Sequence, residues 1–113
     1  MKKEDKDFLK QVEKLVFDQM KQKHVNCDTV CESLGMTNQS LRRKIFAITG
    51  RTGGKYLLTI RIIYAKELLA KGKYPISQVA LKCGYDDANN FSRTFKREVG
   101  MKPTEYAATS KKE

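Results

Sequence analysis

The chain contains one pattern twice. Val30, Cys31 and Gly35 recur as Val79, Ala80 and Gly84 at an offset of 49 residues. Thr37, Leu41, Arg43, Ile45 and Gly50 recur as Asp87, Phe91, Arg93, Phe95 and Gly100 at an offset of 50, so one residue is inserted in the turn of the second copy. A repeat of this kind restricts the fold to two similar units, each burying its own apolar face. Leu41 with Ile45, and Phe91 with Phe95, are i,i+4 pairs, the spacing of one helical face. No stretch alternates with period two for long enough to form a strand, so the expected fold is all-α.

About seven helices are expected. Residues 5–23 set Phe8, Leu9, Val12, Leu15, Val16, Gln19 and Met20 on one face. Residues 26–34 form a short helix with Asn26 as N-cap, Val25 and Val30 as a hydrophobic staple, and Gly35 at its end. Thr37 caps a helix over 38–49 with Leu41, Ile45 and Ile48 inward. Gly53-Gly54 reads as a loose junction before a long helix over about 54–71, where Tyr56, Leu57, Ile60, Ile63, Tyr64, Leu68 and Leu69 are the apolar positions. Pro75 opens a helix over 76–83, and Asp87 caps another over 88–99. Pro103 starts a short turn through Tyr106, and the polar tail from Thr109 is expected to fray. The whole chain, 1–113, reads as one domain: a first subdomain over 5–52, a linker helix over 54–71 and a second subdomain over 75–107.

Each copy is a short helix, a tight glycine-containing turn and a longer capped helix. That is the helix-turn-helix grammar, whose second helix enters the major groove of DNA. The small Cys31 or Ala80 lets the two helices cross closely. With Leu41 and Ile45 inward, the outer face of the first long helix carries Gln39, Arg42, Arg43 and Phe46. The second presents Asn89, Asn90, Arg93, Lys96 and Arg97. Arginine pairs with guanine edges, and asparagine or glutamine with adenine edges. Gln39, Arg42, Arg43, Asn89, Asn90 and Arg93 are therefore candidates for base contact, and Asn38, Lys44, Arg51, Lys55, Lys96 and Arg97 for phosphate contact.

Charge supports a polyanionic partner. The formal net charge is +10, and it is uneven. Residues 1–32 are balanced, with seven basic and seven acidic side chains. Residues 33–66 hold Arg42, Arg43, Lys44, Arg51, Lys55, Arg61 and Lys66 and no acid, while residues 67–113 are net +3. Solvated helical faces mix signs, because like charges one turn apart repel. An acid-free stretch thus points to a surface facing nucleic acid or an anionic membrane. No apolar run approaches the ~18 residues of a membrane span, and the basic opening leads into no apolar signal segment.

Other chemistries find little support. Three cysteines, an odd number, suit reduced thiols in a cytoplasm better than a secreted disulfide framework. His24, Cys27 and Cys31 lack the four-ligand spacing of a structural zinc site, so no metal is expected. A single histidine and the lack of a glycine-rich phosphate loop argue against an enzyme, and no cofactor is implied.

Ile76-Ser-Gln-Val-Ala80, Gly84-Tyr85, Phe91-Ser-Arg-Thr-Phe-Lys-Arg97, Gly100, Pro103 and Tyr106 resemble the signature of AraC/XylS-type transcriptional regulators. Gly35-Met36, Leu41, Arg43 and Thr49-Gly50 agree in the first half, and Arg61, Ala65 and Leu68-Leu69 resemble the linker helix of that family. The opening Asp7-Phe8-Leu9 helix further resembles output domains of response regulators and hybrid two-component sensors. The resemblance implies two helix-turn-helix units on successive major-groove segments of double-stranded DNA, about 34 Å apart. It also implies contact with RNA polymerase beside a promoter, in a larger protein with a sensor or dimerisation domain. Three positions depart from the pattern. Phe46 stands where a basic residue is common, so a phosphate contact is missing or replaced by an apolar one; Gly53 stands near a usual proline; and Ala107 stands where arginine is frequent. The alternative function is a protein-interaction module docking on polymerase or another regulator, with Phe46 as its support.

Overall fold

A computed structural model describes residues 1–22 and 25–111. Among the described residues there are seven helices and no strand, so the chain is all-α. They are α1 (Lys3–Met20), α2 (Cys27–Leu34), α3 (Asn38–Thr49), α4 (Gly53–Lys71), α5 (Ile76–Lys82), α6 (Ala88–Val99) and α7 (Pro103–Lys111). Two compact units divide the chain, Met1–Ile60 and Arg61–Glu113, and α4 contributes residues to both.

In the first unit, α1 buries Phe8, Val12, Val16 and Met20, an i, i+4 stripe down one side. Gln19, expected on that apolar face, acts as a polar clamp. Its Nε2 donates to the Thr29 carbonyl at 3.1 Å, and its Oε1 accepts from the Thr29 hydroxyl at 2.6 Å, fastening α1 to α2. A reciprocal capping box starts α2: the Thr29 amide donates to Asn26 Oδ1 at 2.9 Å, and the Asn26 amide donates to Thr29 Oγ1 at 3.1 Å. On α3, Thr37 Oγ1 accepts from the Ser40 amide at 3.1 Å, and Leu41 and Ile45 are fully buried.

The second unit repeats this plan. Gly84 (φ 85°) occupies the left-handed turn position that Gly35 (φ 69°) holds in the first. The amide after each glycine returns to the preceding helix, Met36 to the Cys31 carbonyl at 3.0 Å and Tyr85 to the Ala80 carbonyl at 2.9 Å. Asp87 caps α6 by accepting from the Asn89 amide at 2.8 Å. The cores differ in chemistry. The first is largely aliphatic around α3, whereas the second is a chain of rings: Tyr85–Phe91, Phe91–Phe95 and Phe95–Tyr106, with centroids 5.4, 5.8 and 5.7 Å apart.

Four expectations need correction. The first helix starts at Lys3 and ends at Met20; residue 23 of its expected span lies outside the described residues. Gly53-Gly54 is no loose junction, because Gly53 is buried and begins α4. On α4, Ile62 is buried and Ile63 is 50% exposed, the reverse of the expected phase. The short turn after Pro103 is a helix that continues to Lys111. There the Glu105 carboxylate accepts from the Lys102 amide at 3.1 Å, and two alanines, Ala107 and Ala108, propagate the turns.

The repeat also runs further than Gly50 and Gly100. Gly53 corresponds to Pro103 and Tyr56 to Tyr106 at the same offset of 50. The Tyr56 amide donates to the Thr52 carbonyl and the Tyr106 amide to the Lys102 carbonyl, both at 2.9 Å. In each unit a further helix, α4 or α7, thus begins at the equivalent position after the helix-turn-helix.

Candidate nucleic-acid interface

Burying Leu41 and Ile45 turns the opposite side of α3 outward. Gln39, Arg42, Arg43 and Phe46 are all exposed there, at i, i+3, i+4 and i+7. A helix lying in the major groove uses the same spacing for its reading residues. On α6, fully burying Phe91 and Phe95 exposes Asn89, Asn90, Arg93, Lys96 and Arg97. Neither α3 nor α6 has an acidic residue in its first turn, but a carboxylate stands at each start: Asp28 meets Asn38 of α3, and Asp87 caps α6.

The candidate residues are not all equally free. Asn38, half-buried at the start of α3, donates through Nδ2 to Asp28 of α2 and accepts from Arg42 Nε. This Asp28–Asn38–Arg42 chain orients the guanidinium. Lys44 sits with Nζ 4.3 Å from the Phe8 ring centroid, turned toward α1. Arg51 Nη1 donates to Thr59 Oγ1 at 3.0 Å. Arg97 Nε pairs with Glu98 at 3.2 Å with its own side chain largely exposed, a contact weak enough to exchange for phosphate. Lys55 and Lys96 are exposed.

Two further cations of the acid-free stretch serve the fold. Arg61 Nε donates to the Cys83 carbonyl at 2.9 Å, and its guanidinium lies 4.1 Å from the Tyr85 ring centroid. Lys66 Nζ lies 5.9 Å from the Tyr106 ring. With Lys44, that places three of the seven cations on aromatic rings. Within that stretch Arg42, Arg43, Arg51 and Lys55 are also exposed.

Beside each long helix lies an open pocket against the next helix start. The first, about 380 Å³, is lined by Arg42, Arg43, Phe46, Ala47, Thr52 and Gly53. The second, about 300 Å³, is lined by Ser92, Arg93, Lys96, Lys102, Pro103 and Thr104. Under the repeat, Arg43 matches Arg93, Phe46 matches Lys96, Thr52 matches Lys102 and Gly53 matches Pro103. Thr52, Gly53, Lys102 and Pro103 had not stood out as site residues. Carrying the repeat past Gly50 would have found them. The floor of the first pocket is tight. A Cβ on Gly53 would come within 2.9 Å of Cys27 Sγ and 3.1 Å of Arg42 Cγ. Burial pushes the Cys27 thiol up from its ordinary range, partly opposed by Arg42.

Among the described residues no group of three His, Cys, Asp or Glu side chains is placed to hold a metal; His24 lies outside them. No helix among them is long and apolar enough to cross a membrane.

Comparison with known proteins agrees with this arrangement. A family described as Helix-turn-helix domain matches residues 30–109. The HTH-type transcriptional activator RhaR of Enterobacter sp. (strain 638) is 39% identical over 82 residues, which are 73% of this chain and 29% of that protein. The chain thus spans less than a third of that relative. The C-terminal domain of AraT, a response regulator from Geobacillus stearothermophilus, superposes with a TM-score of 0.79 at 29% identity, covering 88% of this chain and 83% of that one. The DNA-binding domain of AdpA, a global transcriptional factor solved in complex with a target DNA, shares the fold, with a TM-score of 0.72 at 23% identity over 87% of this chain and 90% of that one. A duplicated helix-turn-helix, a family match across most of the chain and these neighbours together show that the chain belongs to the AraC-type helix-turn-helix family of DNA-binding transcription regulators, a family that is not an enzyme class.

Proposed function

We propose that this chain reads a bipartite site on double-stranded DNA with α3 and α6, as the output part of a transcription activator. The carrying observation is that two repeat-equivalent helices each expose a stripe of base-pairing and basic side chains opposite a fully buried apolar pair. In this reading Gln39, Arg42 and Arg43 contact bases in one half-site, and Asn89, Asn90 and Arg93 in the other. Asn38, Lys44, Arg51, Lys55, Lys96 and Arg97 hold the phosphates, with Lys44 and Arg51 leaving their intramolecular contacts to do so. The relatives' greater length and the response-regulator neighbour support a place in a larger signal-responsive cytoplasmic protein that meets RNA polymerase at a promoter.

The test is binding to a duplex selected from a random pool, followed by fluorescence anisotropy against salt. Affinity should fall with a log–log slope of about −0.9 per neutralised phosphate. Arg43→Ala and Arg93→Ala should each cost about 1–3 kcal/mol on the selected site and relax specificity locally. A flat salt dependence with no selected sequence contradicts the proposal. It would favour the second reading, a protein-docking module, for which the 59% exposure of Phe46 is the supporting observation.

A further inference from the structure

Phe46 is a large apolar side chain, 59% exposed, on the same outer stripe as Gln39, Arg42 and Arg43. Its counterpart in the second unit is Lys96. The two pockets differ in the same sense. Phe46, Ala47 and Gly53 make one wall apolar, where Lys96, Lys102 and Pro103 make the other basic. A ring left in water one turn beyond two exposed arginines is unsuited to a phosphate and lies beside charge that attracts DNA. In the major groove, the apolar feature a side chain can meet is the C5 methyl of thymine. We propose that Phe46 is a specificity-determining residue that packs on a thymine methyl in the half-site read by α3, and that the second half-site, with Lys96 at this position, lacks an equivalent thymine requirement. The inference rests on the DNA-binding reading above and sharpens it: the first unit reads partly by apolar contact, the second by charge.

The two arginines set the register. On a helix, positions 42, 43 and 46 lie on adjoining turns of one face, so if Arg42 or Arg43 reaches a guanine, Phe46 falls beside a neighbouring base pair. The Asp28–Asn38–Arg42 chain holds that face in place from α2. Phe46 makes little of the core, so its replacement leaves the fold intact. Unfolding curves of Phe46→Ala check this.

The experiment uses the whole chain and its selected duplex. Each thymine of the site is replaced singly by deoxyuridine, which deletes only the C5 methyl, and affinity is measured for the parent and for Phe46→Ala. The parent should lose about four-fold at one or two thymines of the α3 half-site, the fold-change equivalent of ~0.8 kcal/mol for one buried methyl or methylene group. Phe46→Ala should bind the thymine and deoxyuridine duplexes equally there, and Phe46→Lys should bind with a steeper salt slope. A parent indifferent to every methyl of that half-site, or an alanine variant that still discriminates, overturns the inference while leaving DNA binding standing. Selected DNA bound equally by parent and Phe46→Ala overturns it too. Failure to select any DNA removes the functional reading and this inference with it.

Discussion

Gly53→Ala should destabilise the chain, although glycine to alanine in a helix usually does the reverse. The ordinary effect of removing glycine's unfolded-state freedom is a gain of about 0.4–1 kcal/mol. Here the added Cβ lands 2.9 Å from Cys27 Sγ and 3.1 Å from Arg42 Cγ, inside the roughly 3.5–4.0 Å of normal contact. Cys27 is 3% exposed and has little room to withdraw. Overpacking of this kind costs about 1–3 kcal/mol, so a net loss of about 1–2 kcal/mol is expected. The cause can be isolated with Cys27→Ala. Removing the sulfur removes the nearest obstacle, so in that background Gly53→Ala should be neutral or stabilising. Urea unfolding of the four proteins, followed by far-ultraviolet circular dichroism, gives the cycle. A coupling energy of about 1–3 kcal/mol is expected. A Gly53→Ala chain more stable than its parent, or effects additive within about 0.5 kcal/mol, would refute the steric reasoning.

Other substitutions probe the second unit. Arg61→Met should cost about 2–3 kcal/mol in urea unfolding, because it strands the Cys83 carbonyl and uncovers Tyr85; a loss under about 0.5 kcal/mol would contradict that role. Asp87→Ala should cost about 1 kcal/mol by removing the α6 cap while Asp87→Asn keeps most of it, and equal losses for both would point away from capping. Burial pushes the Cys83 thiol up from 9.0 to about 12, with Arg61 opposing. The unfolded thiol releases its proton first, so this contribution to stability is present below about pH 9 and is lost as pH rises toward about 12. Unfolding free energies of parent and Cys83→Ala, compared from about pH 8 to about pH 10.5, should show the steeper decline in the parent; parallel declines would exclude it.

What was legible in the sequence was local. Thr37, Asp87 and Asn26 were readable as caps because a side-chain oxygen two or three residues before a free amide needs no tertiary information. Leu41 with Ile45, and Phe91 with Phe95, were readable as core because i,i+4 spacing and duplication pointed the same way. What escaped depends on neighbours. Helix α4 spreads its apolar residues round its circumference among five charged ones and belongs to two units, so periodicity could not choose Ile62 over Ile63. Gln19 looked like part of an apolar stripe because its partner, Thr29, is in the next helix. The count of basic residues was right, but it could not show that Lys44, Arg61 and Lys66 lie over Phe8, Tyr85 and Tyr106. Gly53 read as looseness, when its lack of a side chain is what lets α4 start against Cys27 and Arg42.

Bipartite reading by two equivalent helices can be tested by methylation interference on the selected duplex, which scores guanine N7 in the major groove. Two interfering segments about one helical turn apart are expected, one lost in Arg43→Ala and the other in Arg93→Ala. A single segment, or loss of both from either substitution, would contradict reading by two independent units.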